Sequence, residues 1–231
     1  MFKTIQQLDA YFDNREKIGI KPGLERIQFL LRKVNHPENS MKAIHIAGTN
    51  GKGSTVTYLE QSLLAMDYKV GTFTSPSLTN RQGMIQLNQK SISDDDYLKY
   101  ANQLFDAILE LEKREDPPSN FELLVVISFC FFQEYADISI VETGMGGKED
   151  ATNCIRPLIS IITSIGYDHM NFLGNDLAEI TNHKAGIIKQ KTPIIIGKLP
   201  EQALKVIEDA VLLKQAPLFQ LGVDFKIKKI D

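Results

Sequence analysis

The sequence predicts an α/β fold, a mostly parallel sheet with helices on both faces. Three observations carry that expectation. Short apolar runs alternate along the chain with longer segments of helical periodicity, the order that places parallel strands between crossover helices. The clearest run, Ala43-Ile44-His45-Ile46-Ala47, ends in a glycine-rich turn that leads into another helical segment. The longest apolar stretch, 123–132, is interrupted by Ser128 and is far too short to cross a bilayer.

The elements follow in order. Leu8, Tyr11 and Phe12 mark a short first helix, and Leu24, Ile27, Leu30, Leu31 and Val34 recur at helical spacing. Residues 43–47 read as a buried strand. Val56, Leu59, Leu63 and Leu64 predict the next helix, and 70–73 a second strand. Ser93, with Asp96 three residues on, is a helix start whose acids suit the positive N-terminal end. That helix is expected to run to about residue 114, and Pro117-Pro118 bars any continuation. Then come an apolar helix over 121–135, strands over 137–141 and 158–162, a helix over 176–189, a strand over 194–196 and a helix over 201–213. Crossovers are expected to be right-handed. Ligands of such sheets gather beyond the carboxyl ends of the strands, so function is sought at the strand exits.

A chain of 231 residues makes one large domain, or one domain and part of another, with a core that needs no staples. No internal repeat or low-complexity segment interrupts it. Hydrophobic residues at 43% and charged residues at 24% exclude a disordered chain. Lys and Arg number 26 against 29 acids, a net charge of −3. That balance lacks the broad cationic field of nucleic-acid or anionic-membrane binders, so neither partner is expected. The two cysteines form no C-x-x-C pair, and Cys130 reads as a small buried hydrophobe rather than a reactive thiol. The opening residues contain no apolar signal segment. Together these features point to the cytoplasm.

The first strand exits into Gly48-Thr49-Asn50-Gly51-Lys52-Gly53-Ser54-Thr55. Glycines let backbone N–H groups approach phosphate oxygens with no Cβ in the way. The following helix adds its positive N-terminal end, Lys52 supplies a mobile cation, and Ser54 or Thr55 offers a hydroxyl to phosphate or Mg²⁺. The spacing departs from G-x-x-x-x-G-K-[ST]: two residues separate Gly48 from Gly51, and Gly53 follows the lysine. A plain strand-to-helix turn is the alternative; the order strand, glycines, lysine, hydroxyls, helix favours a phosphate loop.

Two further exits carry chemistry. The strand 137–141 leads to Glu142, a carboxylate where a nucleotide enzyme needs a metal or water partner, and Thr143-Gly144-Met145-Gly146-Gly147 turns sharply beside it. The strand 158–162 leads through Thr163 to Asp168-His169. Alone, His169 reads as a satisfied structural histidine; its convergence with Glu142 and Lys52 on one sheet edge makes a metal-ligand role the competing reading. Mg²⁺ prefers oxygen ligands, so a histidine there is atypical, while zinc lacks a cysteine or histidine pair. Lys184, among Ala185, Ile187 and Ile188, reads from its neighbours as a surface salt-bridging lysine.

Together these segments resemble the folylpolyglutamate synthase and dihydrofolate synthase family, a branch of the Mur-type ATP-dependent amide ligases. The resemblance rests on Lys21-Pro22-Gly23-Leu24-Glu25-Arg26-Ile27, on His45 through Thr55, on Phe73-Thr74-Ser75-Pro76, on Val141-Glu142-Thr143-Gly144-Met145-Gly146-Gly147, on Asp150-Ala151-Thr152-Asn153, on Thr163 through His169 and on Lys184-Ala185-Gly186-Ile187-Ile188-Lys189. It implies a Mur ligase central-type, phosphate-loop domain over 1–231, incomplete at its C-terminal end and without the separate C-terminal ligase domain. It implies ATP on Gly48, Thr49, Asn50, Gly51, Lys52, Gly53, Ser54 and Thr55, and Mg²⁺ on Ser75, Glu142 and His169. Lys52 and Lys184 would be the catalytic lysines, the latter carbamylated into an anionic ligand for a second metal. Gly23, Leu24, Pro76, Phe121 and Asp150 would meet the pterin-bearing substrate.

The implied reaction joins L-glutamate to a folate or dihydropteroate carboxylate through an acyl phosphate, in a monomer. Little covalent chemistry is asked of the protein; positioning and charge neutralisation supply most of the catalysis. Gln82-Gly83-Met84-Ile85 stands where the family carries Asn-Glu-Arg-Ile, and Lys148 where arginine is usual. Lysine cannot reproduce a planar two-pronged contact. The alternative is a truncated nucleotide- and pterin-binding module without turnover. A cell-wall Mur ligase is opposed by Gly53 and by Phe73-Thr74-Ser75-Pro76, and a nucleic-acid translocase by the net charge.

Overall fold

The computed structural model describes residues 1–77 and 79–226; the last residues of the expected domain, 227–231, lie outside them. Among the described residues, eight strands form one sheet: β1 (Ala43–Ala47), β2 (Val70–Phe73), β3 (Ile85–Leu87), β4 (Lys90–Ser91), β5 (Ile138–Glu142), β6 (Ile159–Ile162), β7 (Ile194–Ile196) and β8 (Leu218–Gln220). Their order is β4-β3-β2-β5-β1-β6-β7-β8. The six strands from β2 to β8 in that order run parallel; β3 pairs antiparallel with β2, and β4 antiparallel with β3.

The register positions the site. Ile46 pairs with Glu142 and Ala47 with Ile162 on the two sides of β1, and Phe73 pairs with Val141. The exits of β2, β5, β1 and β6 are therefore adjacent at one edge. β1 lies where the strand order reverses, the switch point at which open α/β sheets bind ligands.

Alternation along β1 sorts its side chains. Ile44 and Ile46 pack with Val56, Leu59, Leu63 and Leu64 of helix α3 (Lys52–Leu64) on one face. The opposite face is covered by helix α6 (Asn120–Tyr135), whose residues 122–132 are all buried. A helix apolar all round belongs between layers, and α6 is enclosed by the sheet together with α1 (Ile5–Asn14), α2 (Glu25–Lys33) and α4 (Asp94–Gln103). Its start is a capping box: Ser119 Oγ accepts from Glu122 N at 3.1 Å, and the Glu122 carboxylate accepts from Ser119 N at 2.6 Å. Beyond β6, helices α8 (Leu177–Ala185) and α9 (Glu201–Lys214) complete a third cluster with Ile162, Ile194, Ile196 and Ile207.

Four local outcomes differ from the sequence expectation. The helix expected from 93 to 114 is two, α4 and α5 (Phe105–Lys113), joined at the fully buried Leu104. Leu104 N donates to Ala101 O at 3.2 Å, a tighter turn that redirects the axis with neither glycine nor proline to announce it. The helix expected to reach 189 ends at Ala185, because Gly186 lies against the Lys148 main chain and Ile187 and Ile188 continue in three-residue turns. The hairpin β3–β4 and the strand β8 were not anticipated; all three are two or three residues long, too short for periodicity to register. Among the described residues, no helix is long and apolar enough to cross a membrane.

Candidate active site

The loop after β1 is held open from behind. Gly48 has φ +153, and a Cβ there would sit 2.0 Å from Thr163 Oγ1; only glycine passes this close to the β6 exit. Thr49 N donates to Ser164 O at 3.0 Å and Asn50 N to Ser164 Oγ at 2.9 Å. Thr163 Oγ1 donates back to Asn50 O at 2.7 Å. The Thr49 hydroxyl accepts from Gly166 N at 3.0 Å and donates to Gly166 O at 3.1 Å. The main-chain donors of Thr49 and Asn50, expected to face phosphate, are thus spent on the neighbouring loop. The first-turn amides of α3, Lys52 to Ser54, have no partner one turn back, so they are the donors left for an anion. Thr55 Oγ1 donates to Gly51 O at 2.7 Å, which leaves the exposed Ser54 to offer the hydroxyl.

Charge converges on this loop. Lys52 Nζ donates to Gly48 O at 3.1 Å and stands 3.9 Å from Glu142 Oε1. Lys184 Nζ donates to the same Gly48 oxygen at 3.0 Å. Lys184 is 2% exposed, so the surface salt-bridge reading is corrected: α8 aims it inward past the buried Thr181. Burial, with the Lys52 charge alongside, pushes the Lys184 ammonium down to about 8. Burial pushes Glu142 up to about 7, a rise that Lys52 and the Ser75 backbone amide oppose only in part.

Beside these groups lies an apolar cavity of about 270 Å³, walled by Ile20, Lys21, Pro22, Ser75, Phe121, Gly144, Met145, Asp150, His169 and Phe172, among others. Phe121 leans on Phe73, ring centroids 5.6 Å apart, and covers Gly144 so closely that a Cβ there would lie 2.6 Å from its Cζ. Gly23, Leu24 and Pro76 do not line the cavity; the wall comes from 19–22 instead. Gly23 makes the left-handed turn into α2, Leu24 occupies its N-cap and packs on the core, and Pro76 is exposed. His169, half-exposed and in the left-handed region at φ 46, starts the short helix α7 (Met170–Leu173) at the cavity rim.

Sequence reading missed the groups that hold this wall. Arg26 NH2 donates to Lys21 O at 2.9 Å and Pro22 O at 3.0 Å, while its Nε reaches Glu122 at 3.1 Å. Arg26 and Glu122 are both buried, so the pair ties the cavity wall to the start of α6. Arg26 lies inside a motif quoted above, but only the fold brings Glu122 to it.

Glu142, the Ser75 segment and His169 could hold a divalent cation. The donor set fits Mg²⁺: a carboxylate raised in pKa chiefly by its burial, with a hydroxyl-bearing residue beside it. No group of three His, Cys, Asp or Glu is placed to bind a metal ion among the described residues.

Residues 46–210 match the Mur ligase middle domain. The chain is 41% identical over 224 residues to a dihydrofolate synthase/folylpolyglutamate synthase of Bacillus subtilis, covering 96% of this chain and 52% of that one. Two solved structures are similar. A folylpolyglutamate synthase of Thermotoga maritima superposes with TM-score 0.88 at 34% identity, over 98% of this chain and 52% of its own. E. coli FolC in complex with DHPP and ADP gives TM-score 0.89 at 28% identity, over 99% and 54%. The chain spans about half the length of these relatives.

Proposed function

Since the chain belongs to the Mur ligase middle-domain family, we propose that it is the ATP-binding part of a ligase that joins L-glutamate to a folate or dihydropteroate carboxylate. The observation that carries this reading is the junction of an anion-binding loop with an apolar, aromatic-lined cavity. Lys52 and Glu142 stand 3.9 Å apart on the loop side, and Ser75 and His169 line the cavity side. A flat aromatic acid in the cavity can present its carboxylate to a terminal phosphate on the loop.

ATP is held by the first-turn amides of α3 and by Lys52, whose ammonium follows the γ-phosphate. The substrate carboxylate attacks that phosphorus, its oxygen forming the new bond as the bond to ADP breaks, and gives an acyl phosphate. The glutamate amine then adds to the acyl carbon, and phosphate leaves with the original carboxylate oxygen. Glu142, with Ser75 and His169 nearby, would hold Mg²⁺, which would supply charge neutralisation on the phosphates. Lys184, poised to lose its proton near pH 8, is suited to carbamylation, which turns it into an anion.

Heavy-oxygen label placed in the acceptor carboxylate tests the chemistry: it should appear in released phosphate only when ATP and L-glutamate are both present. Released phosphate free of the label would refute the acyl phosphate. The alternative reading is binding of nucleotide and pterin without turnover. Glutamate-dependent phosphate release from the isolated chain rejects it.

A further inference from the structure

His45 lies in the middle of β1, fully buried, on the sheet face away from α3. It reaches neither the phosphate loop nor the cavity wall, yet it ends a chain of hydrogen bonds that does. His45 Nε2 and Thr152 Oγ1 are 2.9 Å apart. Thr152 Oγ1 donates to Asp150 Oδ1, which also accepts from Thr152 N at 3.0 Å. Asp150 Oδ2 accepts from Met145 N at 2.9 Å. A hydroxyl has one proton, and here the carboxylate takes it. The Thr152 oxygen therefore accepts from His45 Nε2–H, and with Nδ1 buried and unpaired among the described residues the ring is the neutral tautomer protonated on Nε2. The enclosed Nδ1, without a partner, is the lone-pair nitrogen of that tautomer. Burial agrees, holding the ring neutral down to about pH 3.

The chain of bonds closes a loop. Asp150 grips Met145 before it and Thr152 after it, and the segment between contributes Gly144, Met145, Gly147, Glu149 and Ala151 to the cavity wall. The Asp150 carboxylate, expected to meet substrate, is instead occupied by main-chain and hydroxyl donors. We propose that His45 is a positioning residue: acting through Thr152 and Asp150, it sets the shape of the 144–151 wall and hence the affinity for the cavity's ligand, without touching that ligand or ATP. This deepens the proposed function and rests on it for the identity of the ligand, a pteroyl acid.

The experiment uses the whole 231-residue chain and two probes, dihydropteroate and a non-hydrolysable ATP analogue, with hydrogen exchange followed in parallel. His45→Leu and Thr152→Val each remove one bond of the relay at nearly constant volume; His45→Gln keeps an N–H near the Nε2 position, and Thr152→Ser keeps the hydroxyl. Losing one buried hydrogen bond weakens dihydropteroate binding about tenfold in the Leu and Val variants, while ATP-analogue affinity stays within about twofold. The combined variant is no worse than the worse single one, because both break the same chain. The Gln and Ser variants recover most of the affinity. Exchange of the Met145 amide quickens in the Leu and Val variants and stays slow in the phosphate loop.

Equal loss of both ligands, or a Thr152→Ser variant as damaged as Thr152→Val, would overturn the proposal. If the unmodified chain binds the nucleotide analogue but no dihydropteroate, the functional reading fails; the Met145 exchange then decides the positioning role by itself, unchanged exchange refuting it.

Discussion

Lys52 and Lys184 donate to one and the same oxygen, the carbonyl of Gly48, at 3.1 and 3.0 Å. Two ammonium groups on one acceptor repel each other, and the arrangement persists because Glu142 lies 3.9 Å from Lys52 and both lysines face the place where an anion would bind. The Lys52 charge therefore helps to lower the pKa of Lys184.

Replacing Lys52 by Ala removes the mobile cation of the loop while α3 and its packing remain. Affinity for an ATP analogue is expected to fall roughly ten- to a hundredfold, the range for one charge-assisted contact, with the thermal midpoint nearly unchanged. Titration calorimetry beside thermal unfolding checks both halves. Unaltered nucleotide affinity would remove Lys52 from the site.

Only the neutral amine of Lys184 reacts with carbon dioxide. With its pKa pushed down to about 8 by burial and by Lys52, uptake of labelled bicarbonate should rise steeply between about pH 7 and pH 9, read as a carbamate carbon signal by NMR. In Lys52→Ala the repulsion is gone, so the rise should move to higher pH. An identical profile in the two proteins would show that the lysines do not interact.

Glu142 titrates near 7 in the folded chain against an ordinary value of 4.5, chiefly because it is buried. The folded state thus holds a proton that the unfolded state has released between those values. The associated stability is fully present below about pH 4.5 and is lost as pH rises through about 7. Glu142→Gln should be more stable than the parent at pH 8, by on the order of 3 kcal/mol, and little different near pH 4.5. Denaturant unfolding at the two pH values measures this; a pH-independent difference would contradict it.

Gly144→Ala forces a methyl group to within 2.6 Å of Phe121 Cζ. The ring must tilt, and Phe121 lines the cavity. Overpacking of this kind costs about 1–3 kcal/mol, and dihydropteroate binding should weaken by at least as much as stability falls. Phe121→Leu in the same chain should restore stability more than binding. Gly144→Ala with parental affinity would show that the ring is not part of the ligand's surface.

Much of the site was legible one exit at a time. The glycines and Lys52 read as a phosphate loop because such a loop needs those residue types in that order. Glu142 stood out as a carboxylate ending an apolar run. Phe121 stood on the pterin side only through the family resemblance; its own pattern reads as one more apolar residue of α6, and its contact with Gly144 is what makes it a wall. Thr49 and Asn50 looked like anion donors because they lie between glycines; Ser164, more than a hundred residues on, claims their amides. Gly23 and Leu24 pointed to the right neighbourhood, but the cavity surface belongs to the residues just before them. Leu104 shows the same limit in the fold, since a helix can be redirected with no residue that local propensity would flag.

Local chemistry along the chain determined the class of fold, the position of most helices and strands, and the residue types at each strand exit, because periodicity, capping and glycine placement act over a few neighbouring residues. Strand order did not follow from any of these. β1 sits between β5 and β6, and that placement alone brings Lys52 to Glu142, the Gly48 carbonyl to Lys184, and His45 to Thr152. Such contacts join residues about ninety or more positions apart, and they depend on how whole layers pack to bury their apolar faces, a choice that only the assembled tertiary structure makes.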